Sequence, residues 1–579
     1  MIIITPFDHE NDRKMLIFCI KSLIFCLIFS ISYILLFVTI SNELGVSMKK
    51  AIAVVLAFAL CLSVFATNDQ MIIPIDSPIA HKLNLLFTSQ GLVDFPQSGP
   101  WSVGELRTYL AKVNPQSGVD KALYESIVTA IDSKCENAPV IDLDLELSLE
   151  TYLHSNLNVP REQWVTPFIE QKQPVSAKFN FFINDHIYLF SDVFFGNHYK
   201  LQRGFGSKHL DTNLLIDIKD LNTAMPYRTF ISVGGENWNL LWGRDRFFFG
   251  SGITGSLLLG DNLPFQNSLR FDFFKDSFKY TFFSSFYPHP NNYGNTDQNK
   301  DYSGLFMYMF HRFEYAFFKN FSVTVSEGII YQNEQGFLDL AFYNPMALFH
   351  SFFIRNNANS ILSVDFNYAP IKNMNLWLQV AVDEFGFGTS EELHNPNAIG
   401  ILFGGRYTYD VKPVKGVTSL EFAYVDPYMY LRDCPDPSKG TAGTVGGYDR
   451  LDFIGAYREY TVDVGATYYK EFLGYKYGND SVVVSLKQEF IHPTDYKAVA
   501  QFTYIGNGEM NKDTKWQDVT DFVFAPSGKA RHSFICSFSG DYALTDSLSL
   551  YSKLDIPMQF APEFKMDTQF TLGMSWKAF

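Results

Sequence analysis

The chain has 579 residues, 47% hydrophobic and 17% aromatic, with 57 Phe and 32 Tyr, and carries a formal net charge of −15. That charge argues against nucleic acid as a partner, since phosphate backbones are met with lysine and arginine. Apolar runs long enough to span a bilayer as helices are confined to the first 66 residues, and beyond them apolar residues fall on alternate positions, the pattern of a barrel girdled with aromatics.

Ser22 to Ile40 is an apolar run of spanning length. Just after it, Met48-Lys49-Lys50 leads into AIAVVLAFALCLSVFAT, which has the basic start, apolar centre and small residue, Ala66, of a secretory signal. Residues 1–47 are therefore read as an upstream extension from a misplaced start, 48–66 as a signal peptide, and Thr67 as the mature start; a transmembrane helix is the alternative. Leu60 before Cys61 occupies the small-residue position of a lipobox, which speaks against a lipoprotein. Removing residues 1–66, which carry five Lys/Arg and four Asp/Glu, leaves a net charge of −16. It also removes Cys19, Cys26 and Cys61. Cys135, Cys434 and Cys536 remain, odd in number and far apart, so neither a disulfide framework nor a metal or cofactor site is expected.

Residues 67–136 read as a small periplasmic helical module. Ile79, Leu83 and Leu86 recur at helical spacing before Gly91, Ser102 and Glu105 form a capping-box pattern before LRTYLAKV, and Val119 to Ile131 carries a third stripe. Residues 137–579 read as an outer-membrane β-barrel. In IDLDLELSLE, Ile141, Leu143, Leu145, Leu147 and Leu149 share one face, with Asp142, Asp144, Glu146, Ser148 and Glu150 opposite, which suits a strand between lipid and a wet lumen.

The alternation recurs. Leu362, Val364, Phe366 and Tyr368 lead through the turn PIKNMN to Leu376, Leu378, Val380 and Val382, a hairpin with the short turn found on the periplasmic side. Leu420-Phe422-Tyr424, Tyr460-Val462-Val464, Leu548-Leu550 and the terminal Phe570, Leu572, Met574 and Trp576 repeat it, while the last residue, Phe579, falls one position out of phase. Polar stretches from Tyr287 and from Arg432 read as long, extracellular loops. At about ten residues per strand plus connections, the region holds roughly 16 to 20 strands, with 18 the preferred even number.

The stretch Gly234 to Phe274, containing WNLLWGRDRFFFGSGITGSLLLGDNLPFQNSLRF, and the stretch His311 to Pro345 resemble the core of the capsule assembly protein Wzi family. The resemblance implies a large closed barrel with a periplasmic helical bundle, acting as an outer-membrane lectin that helps hold surface polysaccharide on the cell. Expected partners are outer-membrane lipid, surface polysaccharide and the barrel assembly machinery. The long loops and the acidity depart from the family and leave the glycan open.

A sugar surface needs flat apolar faces for ring C–H groups and planar polar side chains for hydroxyls. Trp238, Trp242, Arg244, Asp245 and Arg246 offer these within one strand and turn, followed by Asn262, Asn267 and Arg270. The alternative is that the tryptophans belong to the interfacial belt and the charged residues form lumenal salt bridges. Alternation puts Arg312 and Glu314 on one face as an expected lumenal ion pair beside His311. With no GxSxG, HExxH or compact Ser/His/Asn string, no catalytic residue is expected. A polysaccharide-anchoring lectin and a porin-like diffusion channel both remain, with a surface adhesin as a third reading. They differ in the lumen, open and polar in a porin but occluded by helices or inward loops in a lectin.

Overall fold

The computed structural model describes residues 68–578 except 117, 136–139, 160–163, 167–169, 197–201, 204–208, 215–221, 224–227, 288–304, 334–335, 345–346, 348, 350–357, 385–397, 432–450, 462–464 and 515–522. The proposed upstream extension and signal peptide lie outside these residues, as do the segments 288–304 and 432–450 that carry most of the two long polar loops.

Among the described residues, eighteen long strands close into one antiparallel barrel. In chain order they are β1 (Ile141–His154), β2 (Val175–Asn184), β3 (Ile187–Gly196), β4 (Thr229–Gly235), β5 (Trp238–Asp245), β6 (Gln266–Lys275), β7 (Phe278–Phe286), β8 (Leu305–Phe318) and β9 (Phe321–Asn333). The second half comprises β10 (Ala358–Tyr368), β11 (Met374–Glu384), β12 (Ala398–Val411), β13 (Val414–Val425), β14 (Ser481–Ile491), β15 (Tyr496–Asn507), β16 (Arg531–Ala543), β17 (Leu548–Ala561) and β18 (Gln569–Lys577). Closure comes from β18 on β1, with Met574 opposite Leu149, and β3 on β4 continues the wall. Closure pairs every strand on both sides and leaves no edge in lipid.

The expected alternation sets which face meets lipid. Leu149 and Leu153 of β1, Leu362 and Tyr368 of β10, and Leu572 and Trp576 of β18 are exposed outward, whereas Glu150, Ser363 and Asp365 are buried inward. Of the expected run Tyr460-Val462-Val464, residues 462 and 464 lie outside the described residues. The strand Ile454–Thr461 before them pairs, among the described residues, with Gly465–Phe472 alone, as a separate ribbon in the connection between β13 and β14. An alternating run needs a neighbour on each side to join a barrel, and here β13 pairs directly with β14.

Connections differ sharply between the two ends. At one end, strands are joined by tight turns such as 236–237, 276–277, 319–320 and 412–413; at the other, by long excursions such as 155–174, 246–265 and 426–480. Three helices, α1 (Pro78–Gln90), α2 (Val103–Leu110) and α3 (Gly118–Cys135), pack at the short-turn end. Ser77 caps α1 through Ile79 N, and Gly91 closes it in the left-handed region at φ 72°. Asn373 N donates to Thr88 O at 2.8 Å, Val93 N to Lys319 O at 2.9 Å, and Lys82 Nζ to Pro493 O at 2.7 Å, fastening the module to three separate turns.

The inner wall is less wet than the alternation suggested. Leu83, Leu106 and Ile127 of the helices belong to one continuous buried core with Phe283, Phe310, Ile330 and Leu402 of the wall. On the outside, residues of the connection after β9 cover Met307, Met309, Ile329 and Tyr331, with Phe342 and Phe349 packed on them.

Candidate functional site

The long connection Arg246 to Phe265 does not rise out of the barrel. Phe248–Phe249 pairs antiparallel with Ser98–Gly99 from the segment between α1 and α2, and Gly250 N donates to Gln97 O at 2.9 Å. Phe247 and Phe249 meet the inward rings of Phe283 and Phe310 with centroids 4.9 and 5.0 Å apart. Leu257, Leu258 and Leu259 are each at most 1% exposed, and burying a leucine fully is worth about 1.5–3 kcal/mol.

The wall and the overlying loops satisfy this plug's backbone, as buried peptide groups require. Glu421 on β13 accepts from Ile253 N and Thr254 N at 2.8 Å each and from Trp377 Nε1 at 2.9 Å. Gln379 Oε1 accepts from Leu257 N at 2.7 Å, and the hydroxyls of Tyr308 and Tyr430 donate to Leu258 O and Leu257 O. Asn262 Nδ2 reaches Phe472 O at 2.6 Å and Gly474 O at 2.9 Å. At Gly255, φ is +144° and a Cβ would stand 3.1 Å from the Tyr475 ring, so this bend takes glycine.

The plug presses on β7, β8, β11 and β13 and leaves space against β1, β2 and β3. That space is a chamber of about 520 Å³ lined by Glu146, Lys178, Asp192 and Phe194 from the wall, Glu170 to Gln173 from the connection after β1, Arg246, Asp261 and Phe265 from the plug, and Asp76. Lys172 and Lys178 both pair with Glu146, at 3.2 and 3.1 Å. Arg246 is shared loosely between Asp76 and Asp261, 3.7 Å from each. Ser176 Oγ donates to Asp192 at 2.9 Å, and Lys553 pairs with Glu170 at 3.3 Å.

The eight residues singled out from the sequence do not form one site. Trp238 and Trp242 are 39% and 66% exposed on the outer face, and Asn267 is exposed beside them, so all three sit across the wall from the lumen. The two-residue period of β5 imposes this, because residues at even spacing from Trp238 share its face. Arg244, near the end of β5, is half-buried and lies 5.6 Å over the Phe265 ring. Asp245 points inward, fully buried, and takes Arg228 through two bonds of 2.6 and 3.1 Å. Arg270 is also buried, 2.7 Å from Asp272. Arg246 alone of the eight lines the chamber, while Asn262 anchors the plug. The expected pair of Arg312 with Glu314 is present at 3.3 Å, and Asp365 completes it at 2.8 Å. His311, one residue along, faces the other way, with Nδ1 2.7 Å from the Tyr280 hydroxyl.

Sequence reasoning missed the plug, although a signal was present. SGITGSLLLG, residues 251–260, carries three successive leucines between glycines, too apolar for a loop in water and too short for a strand pair. It also missed Glu146, Lys172, Lys178 and Asp192 as one constellation, because the register between β1, β2 and β3 and the return of the connection after β1 onto them are not written in the local alternation.

No protein-family model matches the chain, and no curated protein matches it by sequence. Among solved structures it is similar to Wzi of Escherichia coli, described as an outer-membrane protein involved in group 1 capsule assembly and a carbohydrate-binding β-barrel, at a TM-score of 0.54 and 14% identity over 87% of this chain and 98% of that one. OprD of Pseudomonas aeruginosa superposes at 0.38 with 8% identity over 76% and 93%, and OmpT of Vibrio cholerae at 0.30 with 10% over 76% and 97%; neither score is high enough to bear on function. With its closed wall, outward apolar face and this likeness, the chain is an eighteen-stranded outer-membrane β-barrel with the fold of Wzi.

Proposed function

We propose that this protein holds surface polysaccharide at the outer membrane as a plugged, non-catalytic barrel, contributing to attachment or assembly of the cell's glycan coat. The observation that carries the reading is the plug. A diffusion channel needs a continuous polar path, whereas Phe247, Phe249 and Leu257 to Leu259 join the wall and the helical module in one buried core. The fold likeness to a carbohydrate-binding barrel supports the same reading. In it, the signal at residues 48–66 exports the chain, the barrel assembly machinery inserts it, and the outward aromatic side chains settle it in lipid.

Deletion of the gene in its own host tests the proposal, with cell-bound and released polysaccharide measured after gentle washing. The expected result is a shift of polysaccharide from cells to supernatant, reversed by the wild-type chain. Unchanged retention in the deletion strain, with steady single-channel conductance from the purified protein, would make the diffusion channel the better reading.

A further inference from the structure

We infer that the chamber between the plug and β1 to β3 binds a short stretch of glycan, and that the sugar it prefers is neutral or bears an amino group rather than a carboxylate. The inference rests on the proposed function and adds the site and the ligand's charge. About 520 Å³ lies within the range of small-ligand cavities. Its walls also carry what a sugar needs. Phe194 and Phe265 supply apolar faces for ring C–H groups, while Gln171, Asp76, Asp192 and Asp261 supply planar polar groups for hydroxyls.

Two groups at its wall lack protein partners among the described residues. The buried Oε1 of Gln171, a residue only 8% exposed, accepts no hydrogen bond, and the buried Nε of Arg246 donates none. Buried polar atoms are rarely left so, and each such case calls for an occupant such as water or a ligand. A glycan hydroxyl can serve both, since it donates and accepts. The chamber also communicates with solvent, because the side chains of Asp76 and Glu170 at its margin are 66% and 49% exposed.

Charge decides which sugar. Five carboxylates, Asp76, Glu146, Glu170, Asp192 and Asp261, face four cations, Lys172, Lys178 and Arg246 in the lining and Lys553 on Glu170 at 3.3 Å, so one carboxylate is in excess. Both lining lysines are engaged by Glu146, and the arginine lies between two aspartates. A uronate would enter against that excess of negative charge and find no unengaged guanidinium, whereas an ammonium would find Asp192, which accepts from the Ser176 hydroxyl and, although Lys178 and Arg228 act on it from farther off, has no directly contacting ion-pair partner among the described residues.

The test is titration calorimetry on the full mature protein in detergent, with three probes of one length: maltotriose, a glucosamine trisaccharide and trigalacturonate. Binding of the first two is expected, with trigalacturonate at least tenfold weaker. F194A should weaken both binders, and D192N with D261N should weaken the glucosamine probe about tenfold while leaving maltotriose within about threefold. Heat-modifiable electrophoretic migration verifies that each variant folds. Binding of none of the three, tightest binding of trigalacturonate, or binding untouched by either variant would overturn the inference. The same variants expressed in cells keep the two proposals apart: retention that survives them but fails on gene deletion removes the chamber and leaves the proposed function standing.

Discussion

Glu105 shows how one side chain can be drawn from a local role to a tertiary one. Its backbone N–H is taken by Ser102 Oγ at 3.2 Å, as the capping pattern predicts, but its carboxylate does not turn back to the cap. Instead Oε1 accepts from Lys279 Nζ on β7 at 2.6 Å and from the Tyr109 hydroxyl at 3.1 Å, in a place where neither partner of the ion pair is exposed. Burial pushes the carboxyl up to about 7, with Lys279 pulling it back. A folded-state value above the unfolded 4.5 means that the folded chain binds the extra proton, so this contribution to stability is complete below 4.5 and is lost as pH rises to about 7. Helix melting followed by circular dichroism should therefore show a midpoint that falls between pH 5 and pH 7. E105Q, which cannot titrate, should flatten that slope; an equally steep slope in the variant would place its origin elsewhere.

Among the elements, strands were legible and the plug was not, and the reason is physical. A wall strand has lipid on one side, so its period-two pattern is written locally, as Leu362 to Tyr368 and Leu420 to Phe422 show. What an inward loop packs against is fixed only by closure, which places Glu421 and Gln379 over residues 253–257 from more than a hundred positions away. The same blindness made Trp238 and Trp242 look like partners of Asp245, when one strand sends them to opposite faces. Glu421 is the element's fastening. E421A leaves three buried donors without an acceptor, each worth about 1–3 kcal/mol, and removes the carboxylate that pins the turn of the plug. In planar bilayers, the wild-type protein should be silent and E421A should show intermittent openings, more steadily so when residues 251–261 are deleted. Steady conductance by the wild type would mean that the plug does not close the lumen.

At the scale of the whole molecule, the two ends of the barrel are chemically unlike, and the difference predicts how it sits in the membrane. The short-turn end carries both the start of β1 and the end of β18, the helical module, and an outward ring that includes Trp238, Phe273, Tyr315, Phe317, Tyr407 and Trp576. Rings of this kind settle at the headgroup level. Short turns belong to the periplasmic side of such barrels and long loops to the exterior, and a helical module that precedes the first strand would stay on the side from which the chain inserts. Ser547, in the turn before β17, and Glu563, in the connection after it, therefore lie on opposite sides of the outer membrane. Single cysteines at these two positions, in a background lacking Cys434 and Cys536, test this with a membrane-impermeant maleimide. On intact cells Glu563→Cys should label and Ser547→Cys should not, and permeabilising the outer membrane should make both reactive. Labelling of Ser547→Cys alone on intact cells would invert the barrel and put the chamber's plug connection on the periplasmic side, where it could not meet an exterior glycan.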